Sequence, residues 1–163
     1  MPVARDVKDQ LTESLNAEGR SLGHVAAGVA VCTLLVGIVA TLSAARPQPT
    51  SPGDEPARQP LLRAVWPSLF SLTTLAALRV WNAPSSTART RALRLWTLLQ
   101  ASNLVMTVWR PQRRGERIAA AVTTAALTGV YAHAASYVDE KAANLTAPVG
   151  FAGLAAIVAE PTA

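Results

Sequence analysis

Hydrophobic positions in this chain gather into long uninterrupted runs separated by short charged or proline-rich breaks. From Val25 to Leu42 there is no charged or strongly polar residue, and the apolar stretch extends loosely from Leu22 to Ala45. A run of this length predicts a helix able to cross a bilayer, whose apolar core asks for about 20 residues. Four more runs follow at 61–83, 92–109, 118–138 and 142–159. The first break, Arg46 to Pro60, holds five prolines and a PGDE turn signal and has no apolar periodicity, so it predicts a linker. The second, PSSTARTR from Pro84, is short enough to make its flanking helices antiparallel neighbours. The third, RPQRRGER, stops a helix with Pro111 and Gly115, and Asp139 with Glu140 ends the fourth run as a solvated cap. Ahead of all this, residues 1–20 carry Val3, Val7, Leu11 and Leu15 at helical spacing amid charges of both signs, which predicts an amphipathic or partly disordered leader. The expected architecture is all-α: a five-helix transmembrane bundle over 21–163, integral to the membrane and multi-pass, with the lipid bilayer as its first partner.

Composition supports that expectation. Half of the 163 residues are hydrophobic and 15% are charged, against about 25% charged in soluble domains. Mean hydropathy is only +0.25 because alanine and threonine stand where leucine is usual; small residues suit packing between spans. A soluble alanine-rich bundle is the competing reading, since helices apolar all round fit a deep core as well as lipid. The net charge of +5 does not imply nucleic acid, because the arginines sit at the ends of apolar runs and do not interleave with base-stacking aromatics. The SAA before Arg46 raises a cleaved signal peptide, but the apolar region is too long and the leader too acidic for one. Lysines and arginines divide eight against seven between the two sides of a five-span arrangement, which sets no orientation. One cysteine, Cys32, inside an apolar run reads as a small buried hydrophobe.

The four tryptophans look like end markers. Trp66 and Trp81 bracket the second run and are roughly 22 Å apart on a helix; Trp96 and Trp109 bracket the third. Indole rings favour the level where apolar slab meets water. Tyr131 and Tyr137, flanking His133, read as interfacial anchors in the same way. No nucleophile with a base, carboxylate pair, metal cluster or phosphate-binding glycine loop can be assembled, so an enzyme is not expected and no cofactor is required. His24 and His133 are the only candidates for axial haem ligands; a lone histidine more often bonds a carbonyl or a neighbouring helix. Trp66, Phe70, Trp96, Gln100 and Asn103 form a polar and aromatic set on the second and third runs. A buried amide there is either glue between helices or a hydrogen-bond partner for a ligand.

The same residues resemble the TspO/MBR family, the tryptophan-rich sensory proteins related to the mitochondrial translocator protein. Its second helix reads roughly VWxxLYxxMGxAxxxVW; Val65, Trp66, Leu69, Ala76, Val80 and Trp81 match, and Phe70 replaces the tyrosine. Its third reads roughly ALxLYxLQLxLNxxW; Ala92, Leu93, Leu95, Leu98 and Asn103 match, Trp96 replaces tyrosine, Gln100 lies one place late, and Met106 stands for tryptophan. NLTAPVGFAGLAA is similar to the start of the fifth helix, with Ala147 and Pro148 retained and Phe151 in place of a tryptophan. The family's Trp-Tyr pair before helix two has no counterpart, since Arg46 to Pro60 holds no aromatic. The resemblance implies a five-helix membrane bundle, often a homodimer, whose cavity takes porphyrin, haem or a sterol-like molecule. It also implies a binding, sensing or transport role, with Trp66, Phe70, Trp96, Gln100, Asn103, Pro148 and Phe151 as the lining. Arg63 and Arg110 are placed to meet propionates. Two alternatives stand beside it: a structural membrane subunit acting through helix-helix contacts without a ligand, and a haem subunit using His24 and His133.

Overall fold

The computed structural model describes residues 2–44, 72–109 and 113–158, which form helices joined by short turns, with no strand among them. Six helices appear: α1 Pro2–Leu15, α2 Leu22–Ala44, α3 over residues 72–82, α4 Thr87–Trp109, α5 Arg114–Ser136 and α6 Glu140–Val158. The linker at 46–60 and the first half of the second apolar run, including Trp66 and Phe70, lie outside the described residues.

Short polar side chains set the helix starts. Ser21 caps α2 through the His24 amide at 3.3 Å, and Ser86 caps α4 through the Arg89 amide at 3.0 Å. The Ser86 cap draws α4 back to Thr87, five residues before the apolar run begins. Glu116 accepts from the Arg113 amide at 3.4 Å and starts α5 inside its arginine cluster. Asp139 caps α6, its Oδ1 accepting from the amides of Lys141 at 2.9 Å and Ala142 at 3.4 Å. The leader is a helix. It ends in a Schellman turn, with Asn16 at φ 52°, the Asn16 amide on the Glu13 carbonyl at 3.3 Å and the Ala17 amide on the Thr12 carbonyl at 2.9 Å.

Helices α2 and α4, α4 and α5, and α5 and α6 pack as neighbours. Helix α3 closes the ring, meeting the α5–α6 junction through Arg79 and Asp139 and meeting α2 where Gly28 faces Trp81. The core is built from small residues around a few large ones: Ala76, Ala77 and Val80 of α3, Trp96 and Leu99 of α4, Tyr131 and Ala135 of α5.

Two of the described helices are long and apolar enough to cross a membrane, α5 and the Leu22–Val39 part of α2. Only 11% of that α2 stretch is buried, and Val29, Val31, Leu34 and Ile38 project outward from it.

Candidate functional site

Trp96 and Gln100 lie one turn apart on α4 and both point inward, 7% and 3% exposed. The register of the neighbouring helix follows from a cross-helix bond in which the Thr124 hydroxyl donates to Asn103 Oδ1 at 3.4 Å. In an antiparallel pair, stepping seven residues back from Asn103 and seven forward from Thr124 reaches Trp96 and Tyr131. Two turns of helix bring these side chains to one level. Tyr131 is fully buried.

The polar atoms at this level have no partners. Trp96 Nε1, both amide atoms of Gln100 and the Tyr131 hydroxyl are buried without a hydrogen bond among the described residues. Together they offer an indole donor, an amide donor and acceptor, and a hydroxyl able to do either. Each such atom costs roughly 1–3 kcal/mol to leave unsatisfied, and most buried polar atoms in folded proteins are paired. Alanines at 76, 77, 134, 135 and 142 belong to the same buried core cluster as Trp96 and Tyr131. Donors and acceptors of these kinds are what a site for a largely apolar molecule uses to fix the molecule's orientation. Among the described residues no group of three or more histidine, cysteine or acidic side chains is gathered to hold a metal ion.

The remaining sequence-predicted residues are placed as follows. Asn103 serves α4–α5 packing through Thr124. Pro148 and Phe151 are exposed on α6, Phe151 by 73%, so the structure does not bring them to Trp96 and Gln100. His24 bonds the Trp81 carbonyl through Nε2 at 3.0 Å and stacks on the Trp81 ring, with centroids 4.8 Å apart. His133 is exposed and meets Tyr137 edge-on. The two histidines thus engage different partners on different helices. Trp96 is a core residue and not an end marker, since it lies roughly 14 Å inside α4 from Thr87. Tyr131 likewise belongs to the core and not to an interface; its spacing from Thr128, Ala134 and Ala135 marks the buried stripe of α5.

A second polar group closes one end of the bundle. Arg79 donates from Nε to Asp139 Oδ2 at 2.7 Å, and one terminal nitrogen donates to the carbonyls of Glu13 at 2.6 Å and Ser14 at 2.5 Å. Asn82 donates to the Leu15 carbonyl at 3.0 Å. The carbonyls left open at the end of α1 are therefore capped by α3. Asp139 is not the solvated cap its position beside Glu140 and Lys141 suggests; the Arg79–Asp139 side chains are 8% and 9% exposed. Lys141 also reaches Glu13, with Nζ 2.7 Å from Oε1. That contact holds the Glu13 carboxyl below its ordinary value, by the hydrogen bond first and the ammonium charge second.

Comparison of the chain with protein-family models, curated proteins and solved structures finds no match.

Proposed function

We propose that this chain is a multi-pass integral membrane protein whose five-helix bundle, α2 to α6, binds a flat, largely apolar amphiphile of the tetrapyrrole class. The role is that of a sensor, sequestering protein or carrier of the TspO/MBR type. Membrane placement is supported by the outward apolar side chains of α2, together with Leu98, Val105 and Val108 on α4 and Val122 and Val130 on α5. Outward apolar side chains on three helices suit contact with lipid. The observation that carries the ligand reading is the level of unpartnered polar atoms on Trp96, Gln100 and Tyr131. A porphyrin offers ring nitrogens and carboxylates to such atoms and apolar faces to the core alanines.

The test is a titration of detergent-purified protein with protoporphyrin IX, read by quenching of tryptophan fluorescence. Saturable quenching that weakens about tenfold in Gln100→Leu, equivalent to roughly 1.4 kcal/mol, is the expected result. Unchanged affinity in Gln100→Leu and Trp96→Phe would sink the site. The Asn103–Thr124 bond and the exposed Phe151 also suit a subunit that works through helix contacts alone. That second reading predicts co-purification with a membrane partner and indifference to porphyrin.

A further inference from the structure

The basic side chains at the polar end of the bundle are not equally matched. Arg79 has Asp139, and Lys141 has Glu13. Arg20, in the turn between α1 and α2, and Arg89, in the first turn of α4, have no carboxylate partner among the described residues. Both converge on the end of α3. Arg20 donates from Nε to the Asn82 carbonyl at 2.8 Å and from a terminal nitrogen to the Ala83 carbonyl. The Arg89 guanidinium lies over the Trp81 ring, with Cζ 5.4 Å from the centroid. Trp81 is itself fixed, donating from Nε1 to the His24 carbonyl at 3.0 Å while His24 stacks on it.

Three features make this a place for an oxyanion. Arg89 Nε is buried and finds no hydrogen-bond partner among the described residues. The Arg89 backbone belongs to the capped amino-terminal turn of α4, where the helix dipole is positive. Both guanidinium groups engage the end of α3, and burial first and the charge of Arg20 second hold the Arg89 pKa below its ordinary value. A planar guanidinium fork is matched in geometry to carboxylate or phosphate oxygens.

We propose that Arg20, Arg89 and Trp81 form a binding site for the phosphate of an acidic phospholipid headgroup. The location selects lipid as the source. It lies where α2 begins, α3 ends and α4 begins, so apolar spans give way to polar connections there. Leu22 and the outward face of α2 stand beside it for the acyl chains. Basic side chains at this level are attracted to an acidic leaflet. The inference rests on the membrane reading above but not on the tetrapyrrole site.

The experiment is native mass spectrometry of the full chain in detergent, offered dioleoyl-phosphatidylglycerol or dioleoyl-phosphatidylcholine. Wild type is expected to retain the acidic lipid at least fivefold better. Arg89→Gln should abolish that preference, and Arg89→Lys, which keeps charge but loses the fork, should restore only part of it. Arg91→Gln, at an exposed position two residues on, should behave as wild type. Equal retention of the two lipids by wild type, or an Arg89→Gln variant that keeps the preference, overturns the proposal. Displacement of the lipid by millimolar sodium phosphate also overturns it, because the site then serves a soluble anion. Arg89 is the chosen position because Arg20 holds the end of α3 and its loss threatens folding. Carbonate extraction of the host membranes separates the two failures: a chain that stays in the pellet yet shows no lipid preference defeats this inference alone. Release into the supernatant defeats the membrane reading and this inference with it.

Discussion

Replacing Asp139 by asparagine isolates one charge in the polar end of the bundle. The amide oxygen keeps the cap on the Lys141 and Ala142 amides, and asparagine is as good a cap as aspartate. What disappears is the negative charge 2.7 Å from Arg79 Nε. Arg79 remains buried and still holds the Glu13 and Ser14 carbonyls, but without a counter-ion. Removing one partner of a buried ion pair costs roughly 3–5 kcal/mol, because the other charge stays desolvated. The surviving carbonyl bonds place Asp139→Asn near the lower end, at about 3 kcal/mol. Asp139→Ala loses the α6 cap as well, which adds about 1 kcal/mol. The double variant Arg79→Met with Asp139→Asn carries no stranded charge and should cost less than the sum of its two singles. Thermal unfolding in detergent, followed by near-ultraviolet circular dichroism, reads all four changes. A loss below about 1 kcal/mol in Asp139→Asn, or an alanine variant no worse than the asparagine one, refutes the reasoning.

Three further outcomes follow from the same contacts. A Cβ added at Gly28 would lie 2.6 Å from Trp81 Cδ1, and the ring is held by His24 and Arg89, so Gly28→Val should displace Trp81. The expected cost is about 1–3 kcal/mol, with a red shift of the tryptophan emission that Trp81→Phe removes. Gln100→Leu removes two unpartnered buried atoms and should stabilise the ligand-free protein by about 1–3 kcal/mol, while weakening porphyrin binding about tenfold; destabilisation would show that the amide has a partner. Finally, the Glu13 carboxyl is depressed below about 4.5 by Lys141, so its contribution is complete above that value and is lost as pH falls through the lower folded-state value. Hydrogen exchange corrected for intrinsic rate should show α1 protection steady from pH 7 to about 5 and declining below. In Glu13→Gln that acid-side decline should vanish.

Helix positions were legible because uninterrupted apolar runs can hardly be anything else, and α2 at Leu22–Ala44 falls on its run almost residue for residue. The starts of α4 and α5 were less so. Ser86 and Glu116 lie in polar connections, where a capping side chain looks like any loop residue until the backbone amides it serves are known. Trp96 shows a different limit. Its position at the edge of an uncharged run is the pattern of an interfacial ring, but the helix extends nine residues further back and puts it in the core. Tyr131 beside His133 and Tyr137 has the sequence surroundings of an interfacial anchor, and only the packing of α5 on its neighbours places it in the core. Pairings across the chain were not legible at all: nothing local in the sequence says that Arg79 and Asp139, sixty positions apart, meet in the interior.

The junction between α1 and the bundle is written largely in main-chain atoms. Arg79 and Asn82 grip the carbonyls of three consecutive residues, while Glu13 meets Lys141, Leu15 packs against the core and the Asn16 side-chain amide donates to the Arg79 carbonyl. Much of this dock reads the path of the chain, and its side-chain contacts gather in the last turn of α1. A helix that keeps Glu13, Leu15 and the turn at Asn16 should seat in the same place, so a tag or a reporter belongs ahead of that turn. The bundle itself offers no such place: its joints depend on identity at Gly28, Trp81 and Asp139, and tolerate no rewording.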